Sequence, residues 1–189
     1  MATTTQKSVD KWKLKKWFEV YPPKVISGEV IGSVPAADDK SMVGRIMKVN
    51  LSWITHNPNH SFSVVGLRVT DASGNIANTS IAYLEQQYSY LHSLVRRHSN
   101  VVYTHDRVND KEGKAITFKL LITTQSKVPA RTKAVIRKNA SAFVAGYAAA
   151  RSREELLKSL ISGELQGEGI TKLGESAPIS KVEIKRIEF

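Results

Sequence analysis

Asn100–Val108 (NVVYTHDRV) and Lys114–Thr124 (KAITFKLLITT), separated by Asn109-Asp-Lys-Glu-Gly113, decide the fold. Both arms are rich in β-branched and aromatic residues, which suit a pleated, half-buried surface. The gap between them holds Asn, Asp and Gly, the residues that close tight turns. The stretch therefore predicts a β-hairpin. From Lys127 the apolar period becomes helical, with Ile136, Ala140, Phe143 and Tyr147 on one seam. A hairpin followed by a one-faced helix points to an α+β domain, with helices packed on a mainly antiparallel sheet.

The flanking segments extend that reading. Phe62–Thr70 and Asn75–Ile81 surround Asp71-Ala-Ser-Gly74 and predict an earlier hairpin. Leu84, Tyr88, Leu91 and Val95 then fall on one helical face, ending in Arg96-Arg97-His98, whose cations would complement the negative end of the helix or meet a phosphate. Met42–Val49 reads as a strand, Trp53 as a core residue beyond it, and Pro35–Asp39 as a loop. Downstream, Ser152-Arg-Glu-Glu155 matches a capping box and starts a short helix that stops near Gly163. Glycines at 163, 167, 169 and 174 predict weak helix there. Lys181–Phe189 alternates as a closing strand with a phase slip at Lys185-Arg186, the mark of a bulge. The expected architecture is α+β: a mainly antiparallel twisted sheet or barrel with two to three helices. A polar tail at 1–9 precedes a single globular domain over 10–189.

Charge narrows the class of partner. The chain has 189 residues, 28 Lys+Arg against 17 Asp+Glu, a net charge of +11 and a pI near 9.8. Residues 1–24 carry +4, and residues 125–153 carry +7 with no acid at all, while the rest of the chain nets to zero. Charge focused in this way binds a polyanion, nucleic acid before an anionic membrane. No run reaches the roughly 18–20 consecutive apolar residues of a membrane helix, and the N-terminal residues lack the apolar core of a secretory signal. The absence of cysteine excludes disulfides and thiolate metal sites.

The first basic segment, Lys11-Trp-Lys-Leu-Lys-Lys-Trp-Phe-Glu-Val-Tyr-Pro-Pro-Lys24, interleaves lysine with aromatic rings. Its ammonium groups can meet phosphates and its rings can stack on unpaired bases; equally, the rings can anchor a strand to a core. Pro22-Pro23 makes the run extended. In the RNA reading, Lys11, Lys13, Lys15 and Lys16 face phosphates, Trp12 stacks, and Trp17 with Phe18 locks the segment onto the domain. The second segment supplies Lys127, Arg131, Lys133, Arg137 and Lys138, and Arg96 with Arg97 lies between.

Motifs for catalysis are not found: there is no phosphate-binding glycine loop, no paired-His zinc motif on a helix and no nucleophile elbow. His105 and Asp106 are adjacent in a strand and point to opposite faces. His56 and His60 lack a third metal ligand nearby. The expectation is no enzyme, no cofactor and no metal.

Several stretches, in order, resemble one family. Lys15-Lys-Trp-Phe-Glu-Val20 with Pro22-Pro23, Ser93-Leu-Val-Arg-Arg97, the strand pair at 101–124, the basic run Arg131–Lys138 and the ending Lys181-Val-Glu-Ile-Lys-Arg-Ile187 are similar to the eukaryotic-type S-one family of small-ribosomal-subunit proteins, in its archaeal form. The resemblance covers roughly residues 10–189. It departs at Thr123–Ala130, where the family has a longer basic run. It implies a cytoplasmic, structural constituent of the small subunit, supporting translation from the platform near the messenger exit and the 3′ end of the ribosomal RNA. The implied partners are small-subunit ribosomal RNA, neighbouring platform ribosomal proteins, and messenger RNA near the exit, with no membrane. The competing readings are an RNA-processing or modification enzyme and a non-ribosomal RNA-binding module.

Overall fold

The computed structural model describes residues 12, 14–23, 25–26 and 28–189; the expected tail at 1–9 and the site residues Lys11 and Lys13 lie outside them. In chain order the elements are β1 (Lys16–Tyr21), β2 (Gly32–Ala36), α1 (Asp39–Met42), β3 (Ile46–Asn50), α2 (Leu51–Thr55), a 3-10 turn (Pro58–His60), β4 (Ser63–Ser73), β5 (Ile76–Gln86), α3 (Tyr88–Ser93), β6 (Val101–Asn109), β7 (Ala115–Thr124), α4 (Ala130–Ala149), α5 (Arg153–Ser162), α6 (Glu164–Gly174) and β8 (Ile179–Glu188). The class is α+β, with eight strands in one open sheet. Among the described residues there are six α-helical segments, of which α4, α5 and α6 exceed two turns.

Strand β5 is the spine of the sheet. Its whole length pairs antiparallel with β4. Its other edge is divided: Ile76–Asn78 pair in parallel with Glu19–Tyr21 of β1, and Tyr83–Glu85 pair antiparallel with Arg186–Glu188 of β8. Strand β8 then carries β7, and β7 carries β6, while β2 flanks β1 and β3 flanks β4. The last strand of the chain is thus central, joining the β4–β5 hairpin to the β6–β7 hairpin.

Helices cover one face of the β6–β7–β8 wing. Ile136 and Ala140 of α4 and Leu173 of α6 share a core with Val102, Ile122 and Val182. Phe143, Val144 and Tyr147 continue the α4 seam into a larger core with Phe118, Leu120 and Ile184. The capping box forms as expected: Ser152 Oγ accepts from the Glu155 N–H and Glu155 Oε2 from the Ser152 N–H. The α5 helix ends at Gly163, whose φ of 84° suits a residue without a side chain. The segment expected to be weak is nevertheless the regular helix α6. Gly169 faces inward, where an added Cβ would lie 3.3 Å from Val182 and 3.4 Å from Phe143, so this glycine permits close approach rather than a break.

Four further expectations are corrected. Leu84 belongs to β5, because pairing with β4 continues through Gln86 and α3 begins at Tyr88. Arg96-Arg97-His98 lie beyond that short helix in a turn: the Arg96 carbonyl accepts from Ser99, and His98 has a φ of 64°. Trp53 is 74% exposed. It sits on α2, where the helical period turns Leu51 and Ile54 inward instead. Trp17 is 58% exposed, whereas Phe18 and Val20 are buried with Ala36, Met42 and Val69. Strand alternation gives Trp17 and Phe18 opposite faces, so Phe18 alone of the two anchors β1.

Bulges shape β8. Lys119 pairs with Arg186 and Leu120 with Ile184, leaving Lys185 as the extra residue. Thr123 pairs with Lys181 and Thr124 with Ile179, leaving Ser180 extra. The slip expected at Lys185-Arg186 is therefore present, and Ser180 marks a second.

Candidate nucleic-acid interface

The outer face of the β6–β7–β8 wing, opposite α4 and α6, carries Tyr103 and Arg107 from β6, Lys119 from β7, and Lys181 and Lys185 from β8. The bulges re-aim β8 side chains outward in consecutive pairs, Ser180 with Lys181 and Lys185 with Arg186. Helix α3 lies across this face. Leu91 is buried on it, and Tyr90 Oη donates to Glu183 Oε1 at 2.8 Å. The Tyr90 ring also stacks on Phe62, with centroids 5.1 Å apart. Burial, then the Glu183 hydrogen bond and charge, push the Tyr90 phenol up to about 12. Burial raises Glu183 above the usual carboxylate range, against the hydrogen bond from Tyr90, which lowers it.

Two cavities flank α3. One, of about 390 Å³, is polar and basic, lined by Arg96, Arg97, Ser99, Thr123, Ser180 and Lys181. The other, of about 210 Å³, is lined by Tyr88, Leu91, Val95, Tyr103, Leu121 and Lys185. Tyr88 and Tyr103 are 71% and 53% exposed. The Lys185 Nζ stands 5.3 Å from the Tyr103 ring centroid.

The sequence-predicted residues fall into two groups. Arg96 and Arg97 line the basic cavity. Lys127 lies two residues beyond Gln125, which lines it too, and the Val128 N–H donates to Asn100 Oδ1, so the segment leading into α4 and Arg131 is held beside the α3–β6 turn. Arg131, Arg137 and Lys138 are exposed along α4, and Lys133 is half-buried. Among the described residues, none of these seven cations forms an ion pair, whereas Lys48, Lys114, Lys119, Arg151 and Arg186 each hold a carboxylate. An unpaired basic cluster at a helix start, where the dipole is positive as well, is complementary to phosphate.

The N-terminal group is elsewhere. Trp12 is 60% exposed with Lys15 Nζ 3.9 Å from its ring centroid, and Lys16 is exposed at the start of β1. Strand β1 meets β5 at Ile76, and β8 meets it at Glu85; that length of β5 alone spans roughly 30 Å. The two basic segments are not brought together.

Sequence reasoning did not single out Tyr88, Tyr103, Lys181 and Lys185, which line the two cavities. The phase slip in β8 was a usable signal for Lys185. Nothing local identified the others, because they meet only once β8 is seated beside β7. As for other chemistry, no three His, Cys, Asp or Glu side chains converge as a metal site among the described residues.

A profile of the Ribosomal S3Ae family matches residues 3–189. The chain belongs to this family. Its curated relatives include proteins named small ribosomal subunit protein eS1. That of Pyrobaculum calidifontis is 31% identical over 179 residues, covering 95% of this chain and 81% of the relative. That of Staphylothermus marinus is 30% identical over 175 residues, covering 93% and 82%. That of Methanococcus maripaludis is 27% identical over 179 residues, covering 95% and 80%. These relatives are archaeal, as the S-one resemblance implied, and S3Ae membership spans both basic segments.

Proposed function

We propose that this S3Ae-family chain is a structural constituent of the small ribosomal subunit that binds ribosomal RNA and supports translation on the cytoplasmic ribosome. The observation that carries the RNA-binding part is the set of unpaired cations, Arg96, Arg97, Lys127, Arg131, Lys133, Arg137 and Lys138, gathered around the α3–β6 turn and α4 with no acid between residues 125 and 153. Such a surface holds phosphates and fixes orientation while reading little sequence. Lys15, Lys16 and Trp12 supply a second, distant hold, and Lys11 and Lys13 belong to it by sequence. Two holds this far apart suit a protein laid along folded RNA, with neighbouring platform proteins and messenger RNA near the exit as further partners. The role is architectural rather than catalytic.

Titration of the isolated chain with small-subunit ribosomal RNA across a range of salt tests this. The logarithm of affinity should fall linearly with the logarithm of salt, because each phosphate contact releases counterions. Affinity that stays flat with salt contradicts the proposal.

A further inference from the structure

We infer that the cleft between α3 and β6 is a subsite for one unpaired nucleotide, its base stacked on Tyr103 and a phosphate held by Arg96, Arg97 and Lys181. The inference rests on the RNA-binding reading and deepens it.

The chemistry of the two cavities is complementary to the two ends of a nucleotide. The smaller one is walled by exposed Tyr88 and Tyr103 and floored by Leu91 and Leu121. An aromatic wall that solvent reaches offers a π-face to a base of any identity. The larger cavity beside it presents three cations and the hydroxyl of Ser180, while Ser99 and Thr123 donate theirs to the Arg96 and Lys181 carbonyls. Anions are held by this combination of charge and hydroxyl donors.

The cavities are also the right distance apart. Leu121 lines one and Thr123 the other, two residues along the same strand, which is roughly 7 Å. That matches the reach from a base to its own or the adjoining phosphate. Val95 and Leu94 divide between the cavities in the same way. Both bulged residues of β8 point into the site, Ser180 into the basic cavity and Lys185 into the aromatic one. The acid between them, Glu183, is engaged by Tyr90. A paired duplex cannot insert a base here, so the site selects single-stranded or extruded nucleotides.

Fluorescence anisotropy on the full chain, with a labelled oligouridylate and an abasic ribophosphate oligomer of equal length, tests the inference. The wild-type chain should favour the base-bearing oligomer by roughly 5- to 150-fold, the range for one stacked base. Tyr103→Leu, whose exposed position should leave the melting curve unchanged, should remove that preference while leaving abasic binding as it was. Arg96→Gln with Arg97→Gln should weaken both oligomers about equally. A preference that persists undiminished in Tyr103→Leu overturns the subsite by placing the stacking elsewhere, Trp12 included. Equal binding of both oligomers by the wild-type chain overturns it while sparing the RNA-binding reading. Binding of neither removes both.

Discussion

Tyr90 Oη lies 2.8 Å from Glu183 Oε1, and this hydrogen bond ties α3 to the middle of β8. It fixes the helix that separates the two cavities of the outer sheet face. Tyr90→Phe leaves a half-buried carboxylate without its donor and should cost about 1–3 kcal/mol at neutral pH, read by denaturant unfolding.

The pH dependence of that loss has a definite sign. Glu183 titrates above its ordinary value in the folded protein because of burial, and Tyr90 opposes the rise. A carboxyl raised by folding contributes stability while protonated and loses it as pH climbs through the folded value. Removing Tyr90 raises Glu183 further, so Tyr90→Phe should be least damaging in acid and most damaging above the folded Glu183 value. Tyr90 itself, pushed up to about 12, stabilises the fold below about pH 10 and loses that contribution as pH rises from there to 12. An unfolding penalty that is the same at acid and neutral pH would contradict this coupling.

Adjacent residues of β1 should behave in opposite ways. Phe18 is fully buried and Trp17 is exposed. Phe18→Ala should cost about 3–5 kcal/mol, whereas Trp17→Ala should stay within about 0.5 kcal/mol. Thermal melts of the two variants distinguish them directly.

Two glycines offer a second pair of opposites. A Cβ on Gly66 would collide with the Tyr83 ring, whose face the Arg186 guanidinium approaches at 4.3 Å. Gly66→Ala should therefore destabilise by about 1–3 kcal/mol through overpacking. Gly167 sits within α6 with nothing within 4 Å, so Gly167→Ala should stabilise by about 1 kcal/mol through helix propensity. Equilibrium unfolding in urea measures both.

Local patterns made much of the fold legible. The 101–124 hairpin, the α4 seam from Ile136 to Tyr147 and the Ser152–Glu155 cap each follow from spacing within a few residues. The central place of β8 does not, since pairing Arg186 with Glu85 joins residues far apart in the chain. The same limit governed the aromatic residues. Size marked Trp17 and Trp53 as core candidates, but the face each takes depends on Phe18 and on the helical turn at Leu51–Thr55. At the interface, charge alone exposed Arg96, Arg97 and the α4 cations. The meeting of Arg96 and Arg97 with Lys181, and the opening of Lys185 towards Tyr103, required the register of β7 on β8.

The α4 cations should bind phosphates without sequence preference. Replacing Arg131, Lys133, Arg137 and Lys138 with Gln should weaken binding to unrelated RNAs by similar factors. It should also flatten the salt slope by about 0.7 for each single-strand phosphate no longer neutralised. Binding curves at several salt concentrations measure both effects, and a weakening confined to one RNA sequence would contradict a phosphate role.

Sedimentation of an extract of the source cells through a sucrose gradient, after a high-salt wash and with this chain followed by mass spectrometry, tests the ribosomal role most directly. The chain should migrate with the small subunit and stay there through the wash. Recovery of the chain at the top of the gradient, with the small subunits intact below it, would contradict that role.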